Sequence, residues 1–239
     1  MKSEKHTGPF ILTIETATAI GSVALFSGEY LLGSIQIRKG QSHARLLTPM
    51  IQTLLRDLGL TPANLDAVAV AKGPGSYTGL RVGVSTAKGL CMAIDKPVLS
   101  ISSLESLAWQ VDELAQSIDA WVCPMIDARR MEVYCAIYDS QIANKGPVHA
   151  KIIEEEAFQD ILSERKMIFV GDGVAKTADI LGKNPNAILL PGTLSSATGM
   201  GKAIYQKFQR EEFEDLTTFE PFYLKEFRAT KAKNPLLGK

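Results

Sequence analysis

The chain has 239 residues, 46% hydrophobic and 22% charged, enough for one large domain or two smaller ones with a sizeable core. Its 26 Lys and Arg balance 26 Asp and Glu, so no overall field draws it to nucleic acid or membrane, and any RNA contact must come from a local patch. No apolar run approaches the roughly 20 residues of a membrane helix. The polar start MKSEKHTGPF leads straight into a strand, which argues against a signal peptide. Cys91, Cys123 and Cys135 stand in apolar surroundings without C-x-x-C spacing. Together these features predict a cytoplasmic protein with reduced, packed thiols and no structural zinc.

In chain order, Phe10 to Glu15, Gly21 to Phe26 and Leu31 to Arg38 read as three antiparallel strands joined by turns at Thr16 to Ile20 and Ser27-Gly28. From Ser42 to Leu58 the apolar residues Leu46, Leu47, Met50, Ile51, Leu54, Leu55 and Leu58 fall on one helical face, with Pro49 inside and Gly59 as the stop. Leu65 to Ala71 is a valine-rich run of buried-strand type. It breaks at Gly73-Pro74-Gly75 into a helix, capped by Ser76 or Thr78, that runs to Ile94. Along that helix Gly79, Gly83 and Ala87 recur every fourth residue, a stripe almost without side chains. Because glycine costs a helix about 1 kcal/mol against alanine, the stripe requires a close approach: a second helix of the same chain, a second subunit, or a phosphate at the helix N-terminus. Lys96 to Leu99 is a further strand, and Ser102 or Ser103 caps a helix to about Gln116.

The second half begins alike, with an apolar strand Ala120 to Ile126 ending at Asp127 and a return strand Met131 to Tyr138. Val148 to Glu154 reads as a strand, Glu155 to Arg165 as a helix, Met167 to Val170 as a strand ending in Gly171-Asp172-Gly173, and Ser195 to Arg210 as a long helix. The inference is a duplicated architecture, residues 1–117 and 118–239, each half running β-β-β-α-β-α and onward, with a mixed sheet under helices.

Glu15 and Asp127 each end a first strand, where two-domain ATP-using folds of this order often hold an acid for magnesium. The turn after Glu15 has no lysine to meet a phosphate, so capping turns or pairing with arginine is the competing role. The glycine corner is neither a P-loop, lacking Gly-Lys-Ser/Thr, nor a dinucleotide fingerprint, since Thr78 occupies its last glycine position. For the same reason G-x-S-x-G is not met. His43 has Leu46 and Leu47 where a second metal ligand would stand, and His6 and His149 are isolated, which disfavours metallopeptidase chemistry. Arg81, one turn into the glycine helix, suits a carboxylate or phosphate of a partner, or pairing with Asp66 or Glu15. After the acidic run Glu211, Glu212, Glu214 and Asp215, the chain ends on Lys225, Arg228, Lys231, Lys233 and Lys239, opposed only by Glu226. Such a tail suits tRNA phosphates or plain solvent.

Ile14-Glu15-Thr16-Ala17-Thr18, Ser42-His43, Lys72 through Gly83, Ile126-Asp127-Ala128-Arg129 with Glu132-Val133-Tyr134, and Pro221-Phe222-Tyr223-Leu224 resemble the TsaB (YeaZ) family. Its members serve the bacterial machinery that makes threonylcarbamoyladenosine in tRNA. The resemblance spans nearly the whole chain and thins between roughly residues 140 and 215. It implies a fold of the actin, sugar-kinase and heat-shock ATPase type, ribonuclease H-like in each half. It also implies a non-catalytic scaffold that binds and activates a TsaD-like transferase, with a TsaE-like ATPase as third subunit, tRNA bound indirectly and self-dimerisation as an alternative. The family's surface for such partners lies on the first two helices, which implies Leu47, Met50, Ile51 and Leu54 of one and Gly79, Leu80, Gly83 and Ala87 of the other as interface residues. Glu15, Arg81, Asp127 and Arg129 remain ligand or structural candidates. TsaD proteins carry paired metal-binding histidines in the first helix, and His43 alone implies that the metal is not held here. ATP or ADP with magnesium belongs, on this resemblance, to the partner boundary. The rival class is an ATP-dependent phosphotransferase or ATPase of the same fold that uses Glu15 and Asp127.

Overall fold

A computed structural model of the chain describes residues 8–39 and 43–225. His6, Ser42 and the tail residues Arg228, Lys231, Lys233 and Lys239 lie outside the described residues. Strands β1 (Phe10–Glu15), β2 (Gly21–Ser27) and β3 (Tyr30–Ile37) form an antiparallel meander. Helix α1 (His43–Asp57) leads to β4 (Ala67–Gly73), α2 (Tyr77–Ile94) and β5 (Val98–Ser102). The sheet order is β3-β2-β1-β4-β5, with β4 parallel to both β1 and β5.

Helices α3 (Ser103–Trp109) and α4 (Asp112–Ser117) follow, then β6 (Trp121–Asp127), β7 (Glu132–Cys135), β8 (His149–Ile152), α5 (Gln159–Leu162), β9 (Met167–Val170), α6 (Ala178–Leu181), β10 (Ala187–Leu190) and α7 (Gly201–Gln209). The second sheet runs β10-β9-β6-β7-β8. Its pairings repeat the first, antiparallel between β6, β7 and β8 and parallel between β6, β9 and β10. The duplicated α/β fold expected from the element order is therefore the observed one. A mark of the duplication is the corner after the fourth strand of each half, Gly73-Pro74-Gly75 and Gly171-Asp172-Gly173, whose first glycines share φ = +116°. That left-handed conformation suits glycine alone, since a Cβ on Gly73 would lie 2.5 Å from the Phe222 carbonyl oxygen and one on Gly171 2.2 Å from that of Met125.

Helices α1 and α2 cover one face of the first sheet, packing Leu47, Leu54, Val84 and Cys91 on Leu12, Ile14, Val68 and Val70. Its other face is covered from the far end of the chain, by Met200, Ala203 and Ile204 against Ile11, Leu99 and Ile101. Conversely, Leu104 and Leu107 of α3 pack on Val122, Ile126 and Ile168 of the second sheet. Helix α3 therefore packs between the two sheets, its Trp109 also meeting the first-sheet cluster, and the chain returns to the first lobe before α7.

The helix expected through Gln116 breaks at Gln110–Val111, where the Gln110 side chain donates to the Leu194 carbonyl at 3.2 Å and the restart lets Asp112 meet Lys202 at 2.7 Å. The helix expected over 155–165 shortens to α5 because buried Phe158 takes a left-handed φ of 62° at its start. The expected long helix from Ser195 begins as a 3-10 turn, Ala197–Met200. All three cysteines are free and buried, and among the described residues no helix is long and apolar enough to cross a membrane.

Candidate docking face and interlobe cleft

Ser76 caps α2 by accepting from the Gly79 amide at 3.3 Å, and Asp95 ends it in a left-handed C-cap. The small-residue stripe of α2 is filled by the chain itself. A Cβ on Gly79 would lie 2.1 Å from the Thr16 carbonyl oxygen, and one on Gly83 2.3 Å from Thr16 Oγ1. Thr16 Oγ1 also donates to the Gly79 carbonyl at 2.8 Å. What approaches the stripe is a turn, neither a second helix nor a second subunit. Leu47, Met50, Ile51, Leu54, Leu80 and Ala87 are at most 5% exposed, all in the protomer core or its sheet packing. The eight residues expected at a partner interface are therefore corrected to core positions. The resemblance pointed to these two helices, but the periodic residues named on them form the inward face of each.

The outward faces are different residues. On α2 the exposed residues are Thr78, Arg81, Ser85, Gly89, Met92 and Ala93, and on the adjacent α1 they include Arg45, Thr48, Pro49, Gln52 and Arg56. Met92 is 71% exposed, and a Cβ on Gly89 would have nothing within 4 Å. Arg81 is the charged residue among those on α2, and its side chain turns to Tyr77 and Tyr223. Lys88, on the flank of this face, is tied down by donating to the Phe219 carbonyl at 2.8 Å.

At the end of β1, Glu15 is fully buried, with Oε1 accepting from the Ala17 amide at 2.6 Å and Oε2 unpartnered. Burial pushes its pKa up to about 7 against the pull of the Ala17 and Thr16 amides, and the charge of Asp172 adds to the rise. The Ala17 carbonyl accepts from the Ser76 amide at 2.6 Å, which ties the N-cap residue of α2 to the turn after β1. Asp127 is exposed. It accepts from the Arg129 amide at 2.7 Å and from Lys176 Nζ, while its own amide donates to Asp172 Oδ1 at 2.9 Å. Partial burial raises the Asp127 pKa, but Lys176 and the Arg129 amide outweigh it and leave the carboxyl below its ordinary value. Asp172 is shifted upward by burial and by the Asp127 charge.

Both first-strand acids thus hold turns, and among the described residues no group of three or more His, Cys, Asp or Glu is arranged to hold a metal. His43 Nε2 contacts the Thr18 carbonyl at 2.9 Å.

Arg81 pairs with neither Asp66 nor Glu15. Its guanidinium lies 4.4 Å over the Tyr77 ring and its Nε donates to the Tyr223 hydroxyl at 3.2 Å, with the two tyrosine rings 4.7 Å apart. This clasp holds a strap, residues 214–225, that sequence reasoning missed. The strap starts beside β5, where Glu214 bonds the Val98 carbonyl and pairs with Lys72 at 3.2 Å. It buries Phe219 under α2 and runs past Gly73, with the Phe222 amide donating to the Lys72 carbonyl at 2.7 Å. It ends on the second lobe, where Lys225 pairs with Glu132 and lies 5.8 Å over the Tyr134 ring. The available signal was the motif Pro221-Phe222-Tyr223-Leu224, an apolar run after the acidic stretch Glu211 to Asp215.

The family model of TsaD, tRNA N6-adenosine threonylcarbamoyltransferase, matches residues 38–238. The tRNA threonylcarbamoyladenosine biosynthesis protein TsaB of Escherichia coli (strain K12) is 31% identical over 226 residues, which cover 90% of this chain and 94% of that protein. The protein of the same name from Bacillus subtilis (strain 168) is 36% identical over 128 residues, 54% of each, so the match spans about half of that relative. Among solved structures, YeaZ from Pseudomonas aeruginosa superposes with a TM-score of 0.79 at 28% identity, covering 90% of this chain and all of that one. The ethanolamine utilization protein EutJ from Carboxydothermus hydrogenoformans, at 10% identity and a TM-score of 0.53, shares the fold alone. Similar to TsaB proteins along nearly its whole length and to YeaZ in three dimensions, the chain belongs to the TsaB (YeaZ) family, within the wider family that the transferase model describes.

Proposed function

We propose that this chain is a non-catalytic scaffold subunit of a tRNA threonylcarbamoyladenosine modification complex, and that it binds and activates a TsaD-like transferase through the outward faces of α1 and α2. The observation that carries this is the exposed face of α2, with Met92 at 71% exposure beside the open surface of Gly89. A large apolar side chain standing out from small neighbours is the profile of a docking surface. The proposal is supported by the strand-end acids Glu15 and Asp127, which an ATP-dependent phosphotransferase would need and which here hold turns. A TsaE-like third subunit, tRNA bound by the assembly, and self-pairing through the same face when the partner is absent belong to the same proposal. ATP or ADP with magnesium, if used, sits at the boundary with the partner.

The test is light scattering after gel filtration of the chain mixed with its TsaD-like counterpart, beside Gly89→Arg and Met92→Asp. Both substitutions sit in open space, so the monomer keeps its circular dichroism melt. A one-to-one complex that disappears in both variants is expected. An undiminished complex in both overturns the docking face. No complex with the parent chain overturns the scaffold itself and moves the ATPase class ahead.

A further inference from the structure

We propose that the strap, residues 214–225, is a latch between the two lobes: anchored along α2 and β4 of the first, it closes on the β6–β7 hairpin of the second through Lys225, and so couples what docks on α2 to the separation of the lobes. This deepens the scaffold proposal and rests on it only for the partner. On the first lobe the strap is fixed at several points. Ser100 Oγ and Lys72 Nζ both bond Glu214, and Asp215 holds a turn by accepting from the Thr217 amide at 2.7 Å. Phe219 lies buried in the first-lobe core, and bare Gly73 lets the Phe222 carbonyl pass close by. The attachment to the second lobe is of another kind. Lys225 pairs with Glu132 over the Tyr134 ring, and the two charged side chains stay 45% and 25% exposed, so the contact is weak and reversible.

Elsewhere the lobes meet through buried contacts. Leu104 and Leu107 of α3 are sealed on the second sheet, while Ser196 and Ala197 bond Ser106 of α3 on one side and Thr13 and Ser22 of the first sheet on the other. This packed joint is the fixed side, and the strap is the side that opens. Two of the strap's first-lobe anchors, Arg81 and Lys88, stand on α2. Arg81 belongs to the exposed face itself, bonding Tyr223 while its guanidinium lies over Tyr77. A partner laid over α2 takes water from this clasp and strengthens its polar bonds. Since Tyr223 stands two residues before Lys225, fixing its ring also fixes where Lys225 reaches. Docking therefore favours the closed latch, and by linkage an open latch weakens docking.

The experiment sets spin labels at Ala19→Cys and Ala175→Cys, exposed positions just beyond the ends of β1 and β9, one on each lobe. The three native cysteines are buried, so the labels mark the introduced ones. Their separation is measured by pulsed electron resonance in the parent, Lys225→Glu, Glu132→Lys and the charge swap carrying both. One narrow distance in the parent and the swap is expected, and a longer, broader one in each single variant. Unchanged distances in both single variants overturn the latch, and a swap that stays open overturns the Lys225 to Glu132 pair as its closure. The same proteins are titrated with the TsaD-like partner, where binding weaker by roughly fivefold or more in each single variant and recovered in the swap is expected. Parental affinity in chains whose lobes have opened overturns the coupling. Weak binding that persists in a swap with its distance restored overturns it in favour of direct contact between these side chains and the partner. No complex with the parent overturns the scaffold and the coupling, while the distances still decide the latch.

Discussion

Glu15 sits at the end of β1 with one carboxylate oxygen bonded to an amide and the other facing no partner in a fully buried site. Its pKa of about 7, raised from an ordinary 4.5, means that the folded state holds a proton the unfolded chain has released. Stability from this residue is therefore complete below the ordinary value, falls as pH rises, and is lost once pH passes about 7. At 1.36 kcal/mol for each pKa unit the cost at pH 8 is about 3 kcal/mol. Glu15→Gln keeps the acceptor for the Ala17 amide and removes the charge. Urea unfolding is expected to find this variant more stable than the parent at pH 8 by up to about 3 kcal/mol, and nearly equal to it at pH 4. A variant with the same pH profile as the parent would contradict the burial argument. Asp172, also shifted upward, adds to the parent's profile with the same sign.

Helix α2 carries the molecule's outward strip on one side and rests its glycine stripe on the Thr16 turn on the other. Gly83→Leu, chosen on periodicity alone, would look like a probe of assembly. In the structure its side chain meets Thr16 Oγ1 and Val70, so it acts on the fold. It is expected to lower monomer stability by about 3 kcal/mol or more, as overpacking and loss of the Thr16 to Gly79 bond combine. A urea midpoint equal to the parent's would refute the packing described. Periodicity located this stripe because spacing along one helix is a local property. It did not reveal what fills the stripe, because Thr16 lies 63 residues earlier than Gly79. The first five strands were legible for a similar reason, each being an apolar run closed by turn residues. In the second half β10, α5 and α6 have four residues each, too few for a period to stand out, and the break after Gln110 depends on Leu194 and Lys202 far along the chain. Of the cleft, Glu15 and Asp127 were visible as strand-end acids. Asp172, Lys176 and the tyrosine clasp depend on folding to come together.

At the scale of the whole molecule the two lobes share helices: α3 packs Leu104 and Leu107 on the second sheet and Trp109 on the first, and α7 comes back to cover the first. A fragment 1–117 accordingly lacks the cover of Ile11, Leu99 and Ile101 and keeps Leu104 and Leu107 without their sheet. Such a fragment is expected to bind a hydrophobic dye and melt without a cooperative transition, while the full chain unfolds in one step by calorimetry. A sharp calorimetric transition of the fragment would refute this sharing. The late return of α7 also orders events on the ribosome. The first sheet emerges with one face open and stays so until α7 follows, roughly 100 residues later, which at 5–20 residues per second is on the order of 5 to 20 seconds of translation. During that interval the bare face of β1, β4 and β5 is a natural substrate for a chaperone bound to the nascent chain.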